Sequence, residues 1–271
     1  MLPRRLLHLG AIVLVALASP PARADGPAPA GDVTEPPGDD EFVVIPLRVH
    51  VLTATDLPEV DCRLTEADVE RIVGKVNQIW HVAGVHFGLE SVAREPAAQQ
   101  ERFRRLRDLA GTAPLGLFRI LRPEASRSFD GLHVYYLHRF PVNGVYLGED
   151  FALVQETARL RPVEGGIDEP IPRVTAHELG HALGLPHRQD RTNLLASGTT
   201  GTLLNADEVA RARTKATQTR GAVAVADLRR RAEEASEEGD TARARRLWTW
   251  LSEIPGARAA EATRRLRALP E

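Results

Sequence analysis

Residues 177–187 read HELGHALGLPH, and this stretch contains three of the nine histidines of the chain. His177 and His181 are four residues apart, so on a helix both imidazoles project from one face and can reach one metal ion. Glu178 lies beside them, where a carboxylate can act as a base. The stretch therefore predicts a helix that carries a zinc site with a base next to it.

The end of the stretch supplies a third ligand. Gly184 can adopt a positive φ, and the turn that it permits after the helix would bring His187 round to the same ion. Three neutral imidazoles leave the charge of the zinc ion undiminished, which favours a bound water with a pKa near about 7. Three protein ligands also leave the fourth position open. The pattern thus indicates a hydrolytic zinc site.

The full pattern H-E-x-x-H-x-x-G-x-x-H resembles that of the metzincin clan of zinc metallopeptidases. The resemblance implies that His177, His181 and His187 bind one catalytic Zn²⁺ and that Glu178 is the general base. It also implies a methionine-containing turn beneath the metal, and this chain has Leu195 at the corresponding position. Leucine is close to methionine in volume but is branched and stiffer, so a hydrophobic floor is still expected there.

The N-terminus has the three parts of a secretory signal. Arg4 and Arg5 precede an apolar run at residues 6–18, and residues 22–24 read ARA, a small-residue cleavage motif. The run is too short to span a bilayer comfortably, which favours a cleaved signal over an uncleaved anchor. We therefore predict cleavage after residue 24 and export to the periplasm or the extracellular space, with no membrane attachment afterwards.

Net charge and cysteine content limit the expected partners and the possible cross-links of the chain. The formal net charge of −2 gives no electrostatic argument for nucleic acid or an anionic membrane, so a peptide or protein substrate is expected. Cys62 is the only cysteine, which excludes an intramolecular disulfide.

Residues 25–40 are rich in Pro, Gly, Ala and Asp and predict a disordered linker. Residues 41–220 are then a metzincin-like peptidase domain, and residues 221–271 a C-terminal helical hairpin.

The order of predicted elements extends the resemblance upstream of the zinc motif. Residues 42–52 alternate as a strand does, residues 65–80 carry a capping box and apolar side chains at helical spacing, and residues 85–92 form a second strand. Residues 132–137 are β-rich and predict a central strand.

Two further helical segments are predicted. Residues 95–109 are charged and helical in pattern, and residues 205–208 predict the capped start of a helix after the zinc motif. We predict an α+β fold with a twisted mixed sheet of about five strands, a long backing helix and an active-site helix.

A further strand is predicted within residues 142–147. In metzincins the strand at this position is the antiparallel edge of the sheet above the cleft. The resemblance implies that this edge offers unpaired backbone groups to an extended substrate peptide. The four residues concerned are Gly144, Val145, Tyr146 and Leu147. The alternative is an edge strand that a loop covers.

The composition changes to Arg, Glu and Ala from residue 223 onward. Helical segments at residues 228–238, 241–254 and 257–269 predict a hairpin that weakly resembles one tetratricopeptide-like unit, which cannot bury its faces alone. We expect the hairpin to dock on the catalytic domain or to bind a protein partner. The alternative is a solvated helical tail.

The sequence therefore predicts a secreted or periplasmic zinc endopeptidase in which Glu178 takes a proton from a zinc-activated water. Two alternatives stay open. One is a zinc-stabilised secreted binding or scaffold protein that acts through its C-terminal helices, motivated by the leucine at the methionine position. The other is a zinc amidase that acts on a non-peptide substrate. Glu178 argues against the scaffold, because a structural zinc site has no use for a base.

Overall fold

The structure, a computed structural model, describes residues 37–111, 113–125 and 127–270. The predicted signal at residues 1–24 and most of the predicted linker lie outside these ranges. The end of the linker is described, and Asp39–Glu41 forms a single 3₁₀ turn. In the described ranges no helix combines the length and the hydropathy that a bilayer crossing requires.

One mixed sheet organises the described residues. Its strand order is β2-β1-β3-β5-β4, and β6 pairs with the start of β1. The strands β2, β1, β3 and β5 run parallel to one another, whereas β4 is antiparallel to β5 and β6 is antiparallel to β1. The strands are β1 (Val43–Thr53), β2 (Val85–Pro96), β3 (Leu132–Leu137), β4 (Gly144–Tyr146), β5 (Phe151–Gln155) and β6 (Val223–Ala224). The fold is therefore mixed α/β, and the predicted mixed sheet is confirmed.

The helices of the described residues follow the predicted order. They are α1 (Glu66–Trp80), α2 (Gln100–Ala110), α3 (Pro170–Ala182), α4 (Ala206–Thr217), α5 (Val225–Glu237), α6 (Thr241–Glu253) and α7 (Ala257–Ala268). A capping box between Thr65 and Asp68 starts α1, because each side chain bonds a backbone N–H of the other residue. The helix predicted from residue 95 begins only at Gln100, since β2 continues its pairing with β1 as far as Pro96.

Each face of the sheet has its own core. Along β1, Leu47, Val49 and Val51 belong to the core shared with α1 and α3. Leu52 belongs to the opposite core, which α2 and the 3₁₀ segment Leu115–Leu121 cover. The alternation of side chains along a strand separates the two sets. The sheet is thus buried on both faces, and α3 is held on the same face as the long helix α1.

The C-terminal helices pack on the sheet. The indole Nε1 of Trp250 in α6 donates to the Leu89 carbonyl of β2 at 3.0 Å. A Cβ at Gly88 would lie only 2.5 Å from the Trp250 ring, so this contact requires glycine. Phe42 and Val44 pack in one core with Leu228 and Trp250. Of the two roles expected for the hairpin, docking is therefore the one that the structure shows.

Replacing Trp250 with alanine tests this docking. The variant loses the ring against Gly88 and the bond to Leu89, and we expect the free energy of unfolding to fall by about 3–5 kcal/mol. Chemical denaturation of the full chain measures the change. The neighbouring variant Thr249→Ala, made at a half-buried polar site, should stay within about 0.5 kcal/mol. Equal stability of the two variants would contradict a docked hairpin.

Candidate functional site

Helix α3 presents the first two histidines. It starts with Pro170 in its first turn, where the missing N–H costs no helical hydrogen bond. The helix is buried almost throughout, and His177 and His181 lie on the same face. Their Nε2 atoms are 3.1 Å apart. The four-residue spacing therefore brings the two imidazoles together as the sequence predicts.

Gly184 ends the helix and turns the chain back towards it. Its φ is +79°, and its N–H donates to the His181 carbonyl at 3.0 Å. The next N–H, of Leu185, reaches back to the Gly180 carbonyl at 3.0 Å, which completes a Schellman-type end. The turn places Nε2 of His187 3.2 Å from Nε2 of His181. In the described ranges, His177, His181 and His187 form the one group of three side chains that could hold a metal ion.

Backbone carbonyls fix the protonation of two of these rings. Nδ1 of His177 lies 2.8 Å from the Leu194 carbonyl, and Nδ1 of His181 lies 2.7 Å from the Leu185 carbonyl. Because a carbonyl can only accept, each Nδ1 carries the proton and each Nε2 keeps its lone pair. Burial also lowers the pKa of all three histidines, that of His177 to about 3. Unprotonated nitrogens therefore converge on one point, which a cation can occupy.

Glu178 is buried beside this point. Burial raises the pKa of its carboxyl to about 8, while a hydrogen bond from the Tyr146 backbone N–H and the charge of Arg173 act in the opposite direction. A cation bound by the histidines would favour the ionised carboxylate further. A Cβ at Gly144 would lie 2.8 Å from Oε1 of Glu178 and 2.6 Å from Val174, so only glycine lets β4 lie this close.

The edge strand β4 borders the cleft. The Asn143 carbonyl accepts from the Gln155 N–H, and Val145 pairs with Leu153, so these two residues face β5. Gly144 and Tyr146 consequently turn their backbone groups towards the cleft. The Leu147 carbonyl accepts from the Arg119 guanidinium. Of the four predicted residues, Gly144 and Tyr146 thus carry the cleft-facing groups.

A cavity of about 510 Å³ lies between β4 and the zinc-motif residues. Its lining includes all three β4 residues, Glu178 and two of the histidines, His181 and His187. The cavity therefore joins the convergence point of the imidazoles to the strand edge, and an extended chain along β4 would pass over Glu178.

Residues 192–201, which follow the third histidine, lie behind the histidine site, and we call them the floor segment. Leu195 is fully buried, and its backbone N–H donates to the Asn193 side chain at 2.7 Å. A Cβ at Gly180 would be 3.2 Å from Leu195 Cδ1, so the leucine packs directly on α3 at Gly180, one residue before His181. Leu195 therefore occupies an apolar position behind the histidines.

Arg173 is a site residue that the sequence reasoning missed. It is 1% exposed, and its guanidinium donates to the Gly201 carbonyl at 3.1 Å and to the Asn193 and Ala196 carbonyls. Burial lowers its pKa to about 10, which still leaves it charged at neutral pH. It lies one turn before His177 and ties the floor segment to α3. An arginine in the apolar stretch that opens α3, at residues 170–174, was the signal available in the sequence.

Glu208 was missed as well. The sequence predicts a capped start for α4, and the structure shows that Glu208 is fully buried there. Its carboxylate accepts from Arg188 at 2.5 Å and from Asn193 at 2.8 Å. Because Arg188 follows His187 directly, this carboxylate connects the third histidine to the floor segment.

The remaining candidates lie apart from the triad. His133 is buried, and its Nδ1 is 2.9 Å from Nε2 of His50, while Nδ1 of His138 contacts Glu156. His133 lies in β3 and His138 directly follows it, and among the described residues neither belongs to the group that could hold a metal ion. Cys62 is buried, and burial raises the pKa of its thiol, so the thiol is a poor nucleophile and metal ligand.

Comparisons with known proteins give little help. No protein-family model matches this chain, and no curated protein matches it. A solved structure titled "Structure of a chaperone-substrate complex" is similar with a TM-score of 0.38 and 12% identity, over 66% of this chain and 35% of that chain. The similar region spans about a third of the length of that chain. So low a similarity carries no functional argument, and the function must be inferred from the site.

Replacing Arg173 with methionine tests the support beneath the site. The change removes the guanidinium from the Gly201 and Ala196 carbonyls and from the Asn193 carbonyl, which keeps the Ala196 N–H as a donor. The free energy of unfolding should therefore fall by about 3 kcal/mol. The floor segment should also loosen, and the metal-loaded chain should lose its ion at a lower chelator concentration. Denaturation and chelator titration measure the two effects. The exposed variant Arg231→Met is the control, and an Arg173 variant that behaves like it would refute the support role.

Replacing Gly144 with alanine tests the contact between β4 and Glu178. The added methyl group overlaps the Glu178 carboxylate, and we expect a loss of about 1–3 kcal/mol in the free energy of unfolding. Gly74→Ala, at an exposed helical position where a Cβ meets nothing within 4 Å, is the matched control and should not destabilise. Denaturation curves of both variants decide the point, and a stable Gly144 variant would count against the close approach.

Proposed function

We propose that this chain is an exported, metzincin-like zinc endopeptidase. The observation that carries the proposal is the convergence of three imidazoles next to a buried carboxylate, beneath the backbone edge of β4. A binding site for a metal alone would need the imidazoles but would have no use for Glu178 or for the open strand edge.

The spacing of the imidazole nitrogens suits zinc. Ligands at about 2.0–2.1 Å from a tetrahedral zinc ion are about 3.3 Å apart. The Nε2 atoms of His177 and His187 lie 3.1 and 3.2 Å from that of His181. Imidazole is also a preferred zinc ligand, and each Nδ1–H that is held by a carbonyl orients its ring. Three protein ligands leave one tetrahedral position for water or substrate.

The chemistry then divides between the ion and this chain. Bound zinc supplies a Lewis acid that polarises the scissile carbonyl and makes a water molecule acidic enough to lose a proton near neutral pH. Glu178 takes that proton and afterwards passes it to the nitrogen of the leaving amine. The Tyr146 N–H holds the carboxylate, and Gly144 keeps the neighbouring space free of a side chain. Position and burial together favour Glu178 as the base.

Backbone pairing with β4 is the proposed mode of substrate binding. The cleft-facing groups of Gly144 and the Tyr146 carbonyl can pair with an extended peptide, which β-strand addition makes largely independent of side chains. Such pairing would lay the peptide across the 510 Å³ cavity, over Glu178 and His181. This edge favours a peptide substrate over a small non-peptide amide, because a small amide has no backbone with which to pair.

The metzincin-like assignment rests on the floor as well as on the motif. Leu195 fills an apolar position behind α3, and the Leu194 carbonyl next to it orients His177. A leucine there keeps the volume of a methionine while fixing a stiffer shape. The leucine alone therefore gives no reason to prefer a scaffold protein.

Replacing Glu178 with glutamine tests the proposed base. The isosteric amide should keep one bound zinc per chain and reduce hydrolysis by about 10²- to 10⁴-fold, because it cannot accept the proton. Metal analysis and a peptide-library digest read by mass spectrometry measure the two properties. The exposed change Glu237→Gln serves as control and should leave both unchanged.

Three results would overturn parts of this proposal. Full turnover in the Glu178 variant would falsify the base assignment. Zinc binding without any cleavage, in the unaltered chain as well as in the variant, would instead favour a zinc-stabilised binding protein. A chain that binds no zinc would exclude both.

A further inference from the structure

The sheet has a second edge, formed by β2, at the end opposite β4. A cavity of about 760 Å³ lies along this edge, between α1 and α6. Phe87 of β2 belongs to the core under α1, whereas Gly88 packs on Trp250 of α6. The two helices therefore flank the edge from opposite faces of the sheet. We call this cavity the β2 groove.

Side chains cover the first half of the β2 edge. The Asn77 side chain accepts from the Phe87 N–H at 2.8 Å and donates to the Phe87 carbonyl at 3.1 Å. The Leu89 carbonyl accepts from Trp250 at 3.0 Å. Alternate residues of a parallel strand face the same side, so Phe87 and Leu89 turn their backbone groups away from β1. Their bonds show that this half of the edge is already satisfied.

The second half of the edge is open. The pairing of β2 with β1 shifts by one residue, because Leu47 pairs with Leu89 whereas Arg48 pairs with Ser91. After Leu89, the next residue of β2 whose backbone N–H and carbonyl point away from β1 is therefore Val92. The Ala97 N–H donates to the Thr53 carbonyl of β1, so Ala97 faces β1. Val92, an odd number of residues before Ala97, therefore faces away from β1. Val92 lines the β2 groove. In the part of the chain that the structure describes, β1 is the one strand that pairs with β2, and no other backbone group bonds to Val92.

The groove has an apolar floor and acidic walls. Four glutamates line it, and no lysine or arginine does. Glu90 is bonded to Arg48 and Glu253 to His86. Glu66 and Glu70 on α1 are exposed, and among the described residues neither has an ion pair. The floor and side walls contain Phe42, Val73, Leu89, Val92 and Pro255.

We propose that the β2 groove binds an extended basic segment of a partner protein, which adds to the sheet as a strand beside Val92. Glu66 and Glu70 are one helical turn apart, about 6 Å. Alternate side chains of a strand are about 6.7 Å apart, so lysines or arginines at every second position meet both carboxylates. A second copy of this chain is a poorer occupant, since it would bring its own acidic wall against this one.

Binding of two matched nine-residue probes tests the proposal. One fluorescein-labelled peptide reads GKVKVKVKG and the other GEVEVEVEG. Each is titrated into the full chain carrying Glu178→Gln, so that the proposed peptidase activity does not consume the probe. Anisotropy should show binding of the lysine peptide alone, with an affinity that falls as salt increases. Equal binding of both peptides, or of neither, overturns the proposal.

Two further variants separate strand addition from charge. Val92→Pro removes the outward N–H and should weaken the lysine peptide by about tenfold, whereas Val92→Ala keeps the N–H and should stay within about twofold. The double change Glu66→Gln and Glu70→Gln should weaken binding by about 5- to 10-fold, against no change for Glu237→Gln. Thermal unfolding checks that each variant is folded.

Anisotropy and a sedimentation measurement on the full chain also define two contrary outcomes. A Val92→Pro variant that binds as the Val92→Ala variant does would rule out strand addition. A chain that dimerises by sedimentation, and loses the dimer with Val92→Pro, would make a second copy the occupant and overturn the basic partner. Both outcomes are independent of hydrolysis, so they leave the peptidase proposal untouched.

Discussion

The site depends on one constraint, the close approach of imidazole nitrogens that carry lone pairs and no protons. The Nε2 atoms of His177 and His181 are 3.1 Å apart, and neither carries a proton to share with the other. Lone pairs at this distance repel, so the arrangement is tolerable only because the backbone holds it and because a cation can occupy the centre. The carbonyls of Leu194 and Leu185 supply that hold. They come from the turn at Gly184 and from the floor segment, which makes both segments part of the site.

A buried polar network keeps these carbonyls in place. Arg173 bonds three carbonyls of the floor segment, and Glu208 joins Asn193 of the same segment to Arg188. Burying a guanidinium and a carboxylate is costly unless their bonding groups are satisfied, and here each has several partners. In return for this free-energy cost, the buried charges fix the orientation of the carbonyls that they bond. An apolar side chain could pack in the same place but could not orient a carbonyl. The network thus links α3, the floor segment and α4 through hydrogen bonds behind the three histidines.

The two edges of the sheet are treated differently. At β4 the backbone is open beside Glu178, and glycine at position 144 keeps side chains out of the way. At β2 an asparagine and a tryptophan satisfy the first half of the edge, and flanking helices narrow the approach to the second half. Open edges invite strand addition, and proteins usually cover them or exploit them. A single sheet therefore has two edges at which we propose that extended peptides bind, and only the β4 edge lies beside the three histidines.

The local parts of this protein follow from short-range rules. The histidine spacing, the glycine that ends α3, the capping boxes of α1 and α4 and the apolar run of β3 each depend on a few neighbouring residues, and each could be predicted. The helix expected from residue 95 was placed too early, because pairing of β2 with β1 extends the strand against the local helical pattern. The two-residue strand β6 has no period of its own and exists only through its contact with β1.

The chain's sequence by itself determined which side chains can bind a metal ion and which carboxylate stands beside them, because that information lies within eleven consecutive residues. Only the tertiary structure decided that Arg173 and Glu208 are buried supports, that Gly144 and Tyr146 are the cleft-facing residues of their strand, and that Trp250 seats the C-terminal helices on Gly88. These roles depend on partners outside the local sequence, from the neighbouring strand β5 for Gly144 and Tyr146 to the distant strand β2 for Trp250. No local pattern shows which carbonyl, ring or strand a side chain will meet.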